Sequence, residues 1–95
     1  MVENRSRVEI FDKADYHDID IVLDKFFNKE VHVSEKQLDD WLEQGLDVIH
    51  VDDQMGNDYI FQVGQHFIHN DRHSGVSKQA PDGTTLQDVR NLFEE

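Results

Sequence analysis

The chain has 95 residues and no cysteine, so we expect one small domain and exclude disulfides and thiolate metal sites. Its net charge of −12, from 21 acidic and 9 basic side chains, disfavours direct binding to nucleic acid or to anionic lipid. This charge favours a basic protein partner, cations, or simple solubility. No apolar run approaches the roughly 20 residues of a membrane span, and the charged N-terminal residues lack a secretory signal, so we expect a cytoplasmic protein.

The N-terminal third of the chain predicts one strong helix. Residues 1–7 are expected to form a flexible tail, and residues 8–11 (VEIF) a short strand. Residues 15–28 are predicted to form a helix, with Asp15 as its N-cap. Its apolar residues recur at i, i+3, i+4, i+7 and i+8, one stripe at the helical period: Ile19, Val22, Leu23, Phe26 and Phe27.

A second helix is predicted over residues 35–44, after a brief strand or linker at 31–33. Ser34 and Gln37 have the spacing of a capping box, which begins a helix. Gly45 occupies the position where a left-handed residue commonly ends one. Three apolar residues give this helix its buried side: Leu38, Trp41 and Leu42.

Three strands are expected to follow, at residues 46–51, 58–63 and 66–70. The first two are rich in β-branched and aromatic residues that alternate with polar ones, which is typical of half-buried strands. Gly64 and Gln65 are suited to a two-residue turn, because glycine tolerates a positive φ. The pattern therefore predicts a three-stranded antiparallel meander. The alternative is one long strand with a bulge at Gly64.

The last third of the chain predicts a loop and a final helix. Residues 70–83 show no periodicity and contain the single proline, so we expect a long loop. Thr84 and Gln87 have capping-box spacing and are predicted to begin a C-terminal helix. Together these elements predict a single α+β domain over residues 1–95, in which two N-terminal helices and the C-terminal helix pack on one face of the meander.

The acidic residues are concentrated in the middle of the chain. Residues 30–60 contain nine acids and one base, Lys36, and so carry −8 of the net −12. Glu35, Asp39 and Glu43 recur at i, i+4 and i+8, which aligns them about 6 Å apart along one side of the second helix. If that helix lies beside the following hairpin, the acids form one negative surface. The predicted partner-binding residues are Glu35, Asp39, Asp40, Glu43, Asp47, Asp52, Asp53 and Asp58.

This pattern favours a non-enzymatic protein-binding module that inhibits or antagonises a basic, nucleic-acid-handling protein. One version imitates nucleic acid, as phage or mobile-element anti-restriction and anti-CRISPR proteins do. Another is an immunity-type protein that fills a basic active site. The helix alone is a sparse imitation, since DNA carries one charge per about 1.7 Å of axis. The simplest alternative is a solvated acidic helix face with no binding role.

Two further functions stay open from the sequence. One is a structural or regulatory homo-oligomer, such as a homodimer, held by apolar contacts. The other is a small metal enzyme that uses His50, His66, His69 and His73. Residues three apart on a strand point to opposite faces, so His66 and His69 should diverge, and we expect neither a metal nor another cofactor. No nucleophile, base and orienting group occur in a recognisable pattern, so we do not expect an enzyme.

Overall fold

The computed structural model describes residues 9–11, 16–52, 57–71 and 74–93. These residues contain six strands and three helices. The class is α+β, as predicted. The elements in chain order are β1 (Glu9–Phe11), α1 (Tyr16–Phe26), β2 (Lys29–Val31), α2 (Glu35–Gln44), β3 (Asp47–Asp52), β4 (Asn57–Val63), β5 (His66–Asp71), β6 (Val76–Gln79) and α3 (Leu86–Asn91).

The strands form one sheet in the order β1-β3-β4-β5-β6-β2. Five strands are antiparallel, and β1 joins the edge parallel to β3. The predicted meander is present as β3, β4 and β5. Val63 pairs with His66 across a two-residue turn, so the alternative of one long bulged strand is wrong.

The sheet is larger than the predicted three strands. Residues 70–83 were expected to be a loop, yet β6 lies within them and pairs with both β5 and β2. The prediction of one continuous loop is therefore wrong. Four mostly polar residues (VSKQ) show too little alternation to indicate a strand, and only the partners on both sides make one.

Helices lie on both faces of the sheet, which corrects the prediction that all pack on one face. Ile60 of β4 belongs to the core cluster that contains Leu23 of α1 and Val89 of α3. The next residue, Phe61, lies with its ring centroid 5.3 Å from that of Trp41 in α2. Because consecutive side chains of a strand point to opposite faces, α2 lies on the face opposite α1 and α3.

The crossover connections explain this arrangement. The chain passes from β1 at one edge through α1 to β2 at the other edge, and α2 returns it to β3 beside β1. The strand pairings make β1, β2 and β3 parallel in direction. Such crossovers are almost always right-handed, and two that run in opposite directions across one sheet must then use opposite faces.

The main core lies between the sheet and the two helices α1 and α3. A bulge in β3 adds to it, because Asp47 is in register with Phe61 and Ile49 with Ile60, which leaves Val48 as the extra residue. Val48 and Ile49 are consequently both buried in this core, whereas strict alternation predicted opposite faces. The core cluster is Leu23, Phe27, Val48, Ile49, Ile60, Phe67, Ala80, Val89 and Phe93.

Ser34 as the N-cap of α2 and Gly45 as the left-handed residue that ends it are both confirmed. The Ser34 side chain accepts a hydrogen bond from the backbone N–H of Gln37 at 3.1 Å. Gly45 ends the helix with φ 76°, the left-handed conformation that glycine adopts without a steric penalty. The predicted N-cap of α1, Asp15, and the predicted tail at 1–7 lie outside the described residues.

The start of α3 differs by one residue from the prediction. Thr85, and not Thr84, is the N-cap, and it forms a reciprocal capping box with Asp88. The Thr84 hydroxyl instead donates to the carbonyl of Pro81 at 2.6 Å, within the preceding turn. Two adjacent threonines each had a suitable partner three residues on, so the spacing alone could not separate them.

Candidate functional site

The position of α2 determines which of its side chains reach solvent. Leu38 is buried, and Trp41 and Leu42 are half-buried on the side towards the sheet. The contact between Trp41 and Phe61 fixes this side against β4. The opposite side of the helix therefore faces outwards.

That outer side is acidic. Glu35, Asp39 and Glu43 are exposed, and Asp40 is partly exposed with its carboxylate 3.6 Å from the ammonium of Lys36. The last turn of α2 contains no basic residue. We call Glu35, Asp39, Asp40 and Glu43 the acidic α2 surface. Its acids extend over nine residues of helix, Glu35 to Glu43, or about 12 Å.

The structure does not bring the other predicted acids onto this surface. Asp47 and Asp58 are buried. Asp58 also lies two residues before Ile60 on β4, so its side chain is on the α1 face of the sheet. The side chain of Asp52 and the whole of Asp53 lie outside the description. The predicted negative surface combined acids of the helix and of the hairpin. Within the described residues, it consists of the helix acids alone.

Asp47 is a buried carboxylate at the junction of α2 and β3. It follows α2 directly, at the bulge in β3, and is 7% exposed. Burial raises its pKa from 3.8 to about 7, because removing water disfavours the charged form. Its Oδ1 atom has no hydrogen-bond partner. A carboxylate in this position is a cost to stability and not a contact for an external partner.

The described histidines do not converge. His50 stacks on Tyr59, its register partner, with ring centroids 4.8 Å apart. Both side chains lie on the face of the sheet towards α2. His69 pairs with Ile60 and so lies on the opposite face, while His66 is exposed at the far end of β5. In the described part of the chain, no three potential ligands are placed to hold one metal ion. His73 lies outside the description.

A groove beside α1 brings together polar side chains that the sequence did not group. It has a volume of about 220 Å³. The imidazole Nε2 of His69 lies 3.7 Å from Oδ2 of Asp58, and both residues are buried. We call this cavity the α1 groove; it is lined by Asp24, His69, Asp71, Ser74, Val76 and Lys78.

The α1 groove was missed because one of its walls is β6. Lys78 is the register partner of His69, and Asp71 is that of Asp58, all on the α1 face. The i, i+2 spacing of His69 and Asp71 in a predicted strand was the available signal. Because β6 was not predicted, no sequence pattern placed Lys78 or the end of α1 beside His69 and Asp71.

Comparison with known proteins gives no match: no protein-family model, curated protein or solved structure is significantly similar to this chain. Among the helices of the described ranges, none has the length and apolar character needed to cross a bilayer. Within the described residues, the acidic α2 surface and the α1 groove are the two features that bear on function.

Proposed function

We propose that this protein is a non-enzymatic binding module that presents the acidic α2 surface to a basic, nucleic-acid-handling protein and inhibits it. The observation that carries the proposal is the exposure of Glu35, Asp39 and Glu43 on one side of a helix whose other side is packed on the sheet. The acids are therefore held in a fixed row, and binding need not order them first.

Charge is the main feature of this surface. Lys36 is the one basic residue of α2 and is paired with Asp40, so α2 has no second basic residue to pair with the remaining three carboxylates. Electrostatic complementarity raises association rates and suppresses wrong partners more than it adds affinity. A basic groove or active site of a nucleic-acid enzyme supplies the complementary potential.

The length of α2 limits which form of inhibition is supported. About 12 Å of helix carries four acids, whereas DNA presents one charge per about 1.7 Å. A full imitation of a duplex therefore needs additional acids or a second copy of the chain. Filling one basic pocket or groove requires only the surface that α2 provides, and this form of the proposal fits it better.

Apolar self-association receives less support from the exposed side chains. Ile21 is the one exposed large hydrophobic residue among those described, at 45% exposure. Stable homodimer interfaces bury a largely apolar centre. A single isoleucine on α1 does not supply such a centre.

The proposal is tested by affinity capture with two double variants that lose equal charge. Asp39→Asn with Glu43→Gln removes two carboxylates from the acidic α2 surface. Glu30→Gln with Asp82→Asn removes two exposed carboxylates elsewhere. Each variant and the unchanged protein are used to capture partners from host lysate at low salt, and the captured protein is purified and titrated directly.

We expect a nucleic-acid-handling partner that the unchanged protein and the Glu30/Asp82 variant retain and that the Asp39/Glu43 variant loses. Release should occur as salt rises from about 0.1 to 0.5 M, since exposed charges are screened over that range. The purified partner's activity should fall on addition of the protein. Equal capture by both double variants, or binding that salt leaves unchanged, would contradict the proposal.

A further inference from the structure

We propose that α2 is a pH-sensitive lid over one face of the sheet, closed while Asp47 is protonated and opening separately from the rest of the molecule when Asp47 is ionised. This opening does not require the proposed partner, although an open lid would no longer hold the acidic α2 surface as a fixed row. Three features of the molecule support it: the position of Asp47, the size of the apolar contact under α2, and the connections at the two ends of this helix.

Asp47 lies beside the contact that holds α2 on the sheet. It is the register partner of Phe61, whose ring centroid is 5.3 Å from that of Trp41, so its side chain is on the face towards α2. The bulge turns Val48 to the other face, which makes His50 the next residue of β3 on this side. Asp47 is 7% exposed, and its Oδ1 atom has no hydrogen-bond partner. An ionised carboxylate needs water or a partner, and water enters here if α2 moves away from the sheet.

The charges around Asp47 do not offset its ionisation. Within the described residues, no basic side chain forms an ion pair with it. On α2 the acidic side is directed outwards, Lys36 is paired with Asp40, and the last turn contains no basic residue, while the end of the helix dipole is itself negative. The titratable side chains on this face of β3 and β4 are His50 and Tyr59, which stack on each other. Burial is the cause that raises the pKa of Asp47 to about 7.

The apolar contact under α2 is smaller than the core on the other face. The helix contributes one buried residue, Leu38, with Trp41 and Leu42 half-buried. The sheet contributes Phe61 and its register partner Ile68. The opposite face has a core cluster of nine buried residues. Because hydrophobic stabilisation scales with the apolar area removed from water, detaching α2 requires less free energy than unfolding the whole molecule.

The two ends of α2 allow it to move as one unit. Residues 32–34 join it to β2 without regular structure, and the cap at Ser34 bonds within the helix itself. At the other end, Gly45 is in the left-handed conformation. Leu46 donates its backbone N–H to the carbonyl of Trp41, and its own carbonyl accepts from the N–H of Gln62 in β4. The change from helix to sheet therefore takes place at one residue, where the lid can turn while β3 stays paired.

The experiment uses a single introduced thiol, since the chain contains no cysteine. Leu38→Cys places the thiol on the buried side of α2, and Leu23→Cys places it in the core under α1. The rate of reaction with a dilute aromatic disulfide reagent is divided by the rate in the urea-unfolded protein at the same pH, which gives the open fraction. Leu42→Cys in α2 and Ile60→Cys in β4 replace the first pair if either variant does not fold.

We expect the thiol at Leu38→Cys to react at least about tenfold faster than that at Leu23→Cys, because local opening requires less free energy than global unfolding. From about pH 5.5 to about pH 8.5 its normalised rate should rise about 30-fold and level off above about pH 7, since Asp47 returns to its ordinary pKa of 3.8 when α2 opens. Adding Asp47→Asn should make this profile flat. Adding Asp39→Asn, which removes an exposed carboxylate of the same helix, should leave it unchanged.

Three results would overturn the inference. The first is equal reaction of the α2 and core thiols, since α2 would then open only when the whole molecule unfolds. The second is a rate at Leu38→Cys that does not change with pH. The third is a pH profile that Asp47→Asn leaves as it is, because another group would then control the opening. No partner is present in this experiment, so its failure and that of the proposed binding function are distinguishable.

Discussion

Replacing Asp47 by asparagine should change how the stability of this protein depends on pH. The side chain is 7% exposed, and burial raises its pKa to about 7. Asparagine has nearly the same shape but does not ionise. The substitution therefore removes the titration and leaves the position polar and of similar volume.

The direction of the effect comes from proton linkage. Between pH 3.8 and about pH 7 the folded protein keeps the Asp47 proton, whereas the unfolded chain has lost it. Because the folded state then binds more protons, its stability falls as pH rises, and above about pH 7 the loss is complete. The difference between 3.8 and about 7 corresponds to about 4 kcal/mol at 1.36 kcal/mol per pKa unit.

The measurement is urea unfolding followed by the fluorescence of Trp41, the single tryptophan. The measurements run from about pH 5.5, above the isoelectric point of about 4.6, to about pH 8.5. Over this range the Asp47 titration should lower the stability of the unchanged protein by about 2 kcal/mol. Over this pH range, the free energy of unfolding of Asp47→Asn minus that of the unchanged protein should increase by about 2 kcal/mol. Any constant cost of the amide cancels, because only the change with pH is used.

Asp39→Asn is the matched control, since it removes one carboxylate from an exposed position. Its free energy of unfolding should stay within about 0.5 kcal/mol of that of the unchanged protein at each pH, as for most surface substitutions. If the stability curves of Asp47→Asn and the unchanged protein run parallel with pH, then Asp47 ionises freely in the folded state. The argument from burial would then be refuted.

Two other substitutions test the core and the end of α2. Phe27→Ala should lower the free energy of unfolding by about 3–5 kcal/mol, because this fully buried ring contacts both Phe26 and His69. A loss below about 1 kcal/mol in urea unfolding would mean that Phe27, which directly follows α1, does not fill the core. Gly45→Ala should cost about 1–2 kcal/mol, since φ is 76° and a Cβ is strained there. At the exposed Gly64, where φ is 65° and an added Cβ meets no other atom, Gly64→Asn should cost less than Gly64→Ala because asparagine tolerates this conformation; equal losses from these two variants would contradict the strain argument.

Local features followed from residue types and spacing. Leu23 and Phe27 were assigned to an apolar stripe, and both are completely buried. The caps at Ser34 and Gly45 required only neighbouring residues of the right kind. Such features depend on interactions within one or two turns, and for that reason they can be recognised without knowing the rest of the fold.

The acidic site was only partly predictable. The row of Glu35, Asp39 and Glu43 follows from helical spacing, and the structure leaves all three exposed. Asp58 had the same charge and was expected beside them, but it is buried on the other side of the sheet. Its environment is set by strands β4 and β5 together, and no local pattern indicates which face of the sheet each helix covers.

The sequence by itself determined the amphipathic helices, the caps of α2, the meander and the concentration of acids in the middle of the chain. The tertiary structure alone decided that β6 extends the sheet, that α1 and α2 cover opposite faces, and that His69, Asp71 and Lys78 meet at one groove. The physical reason is the range of the interactions. Capping and periodicity act within a few residues, whereas crossover direction and strand partners join residues from distant parts of the chain.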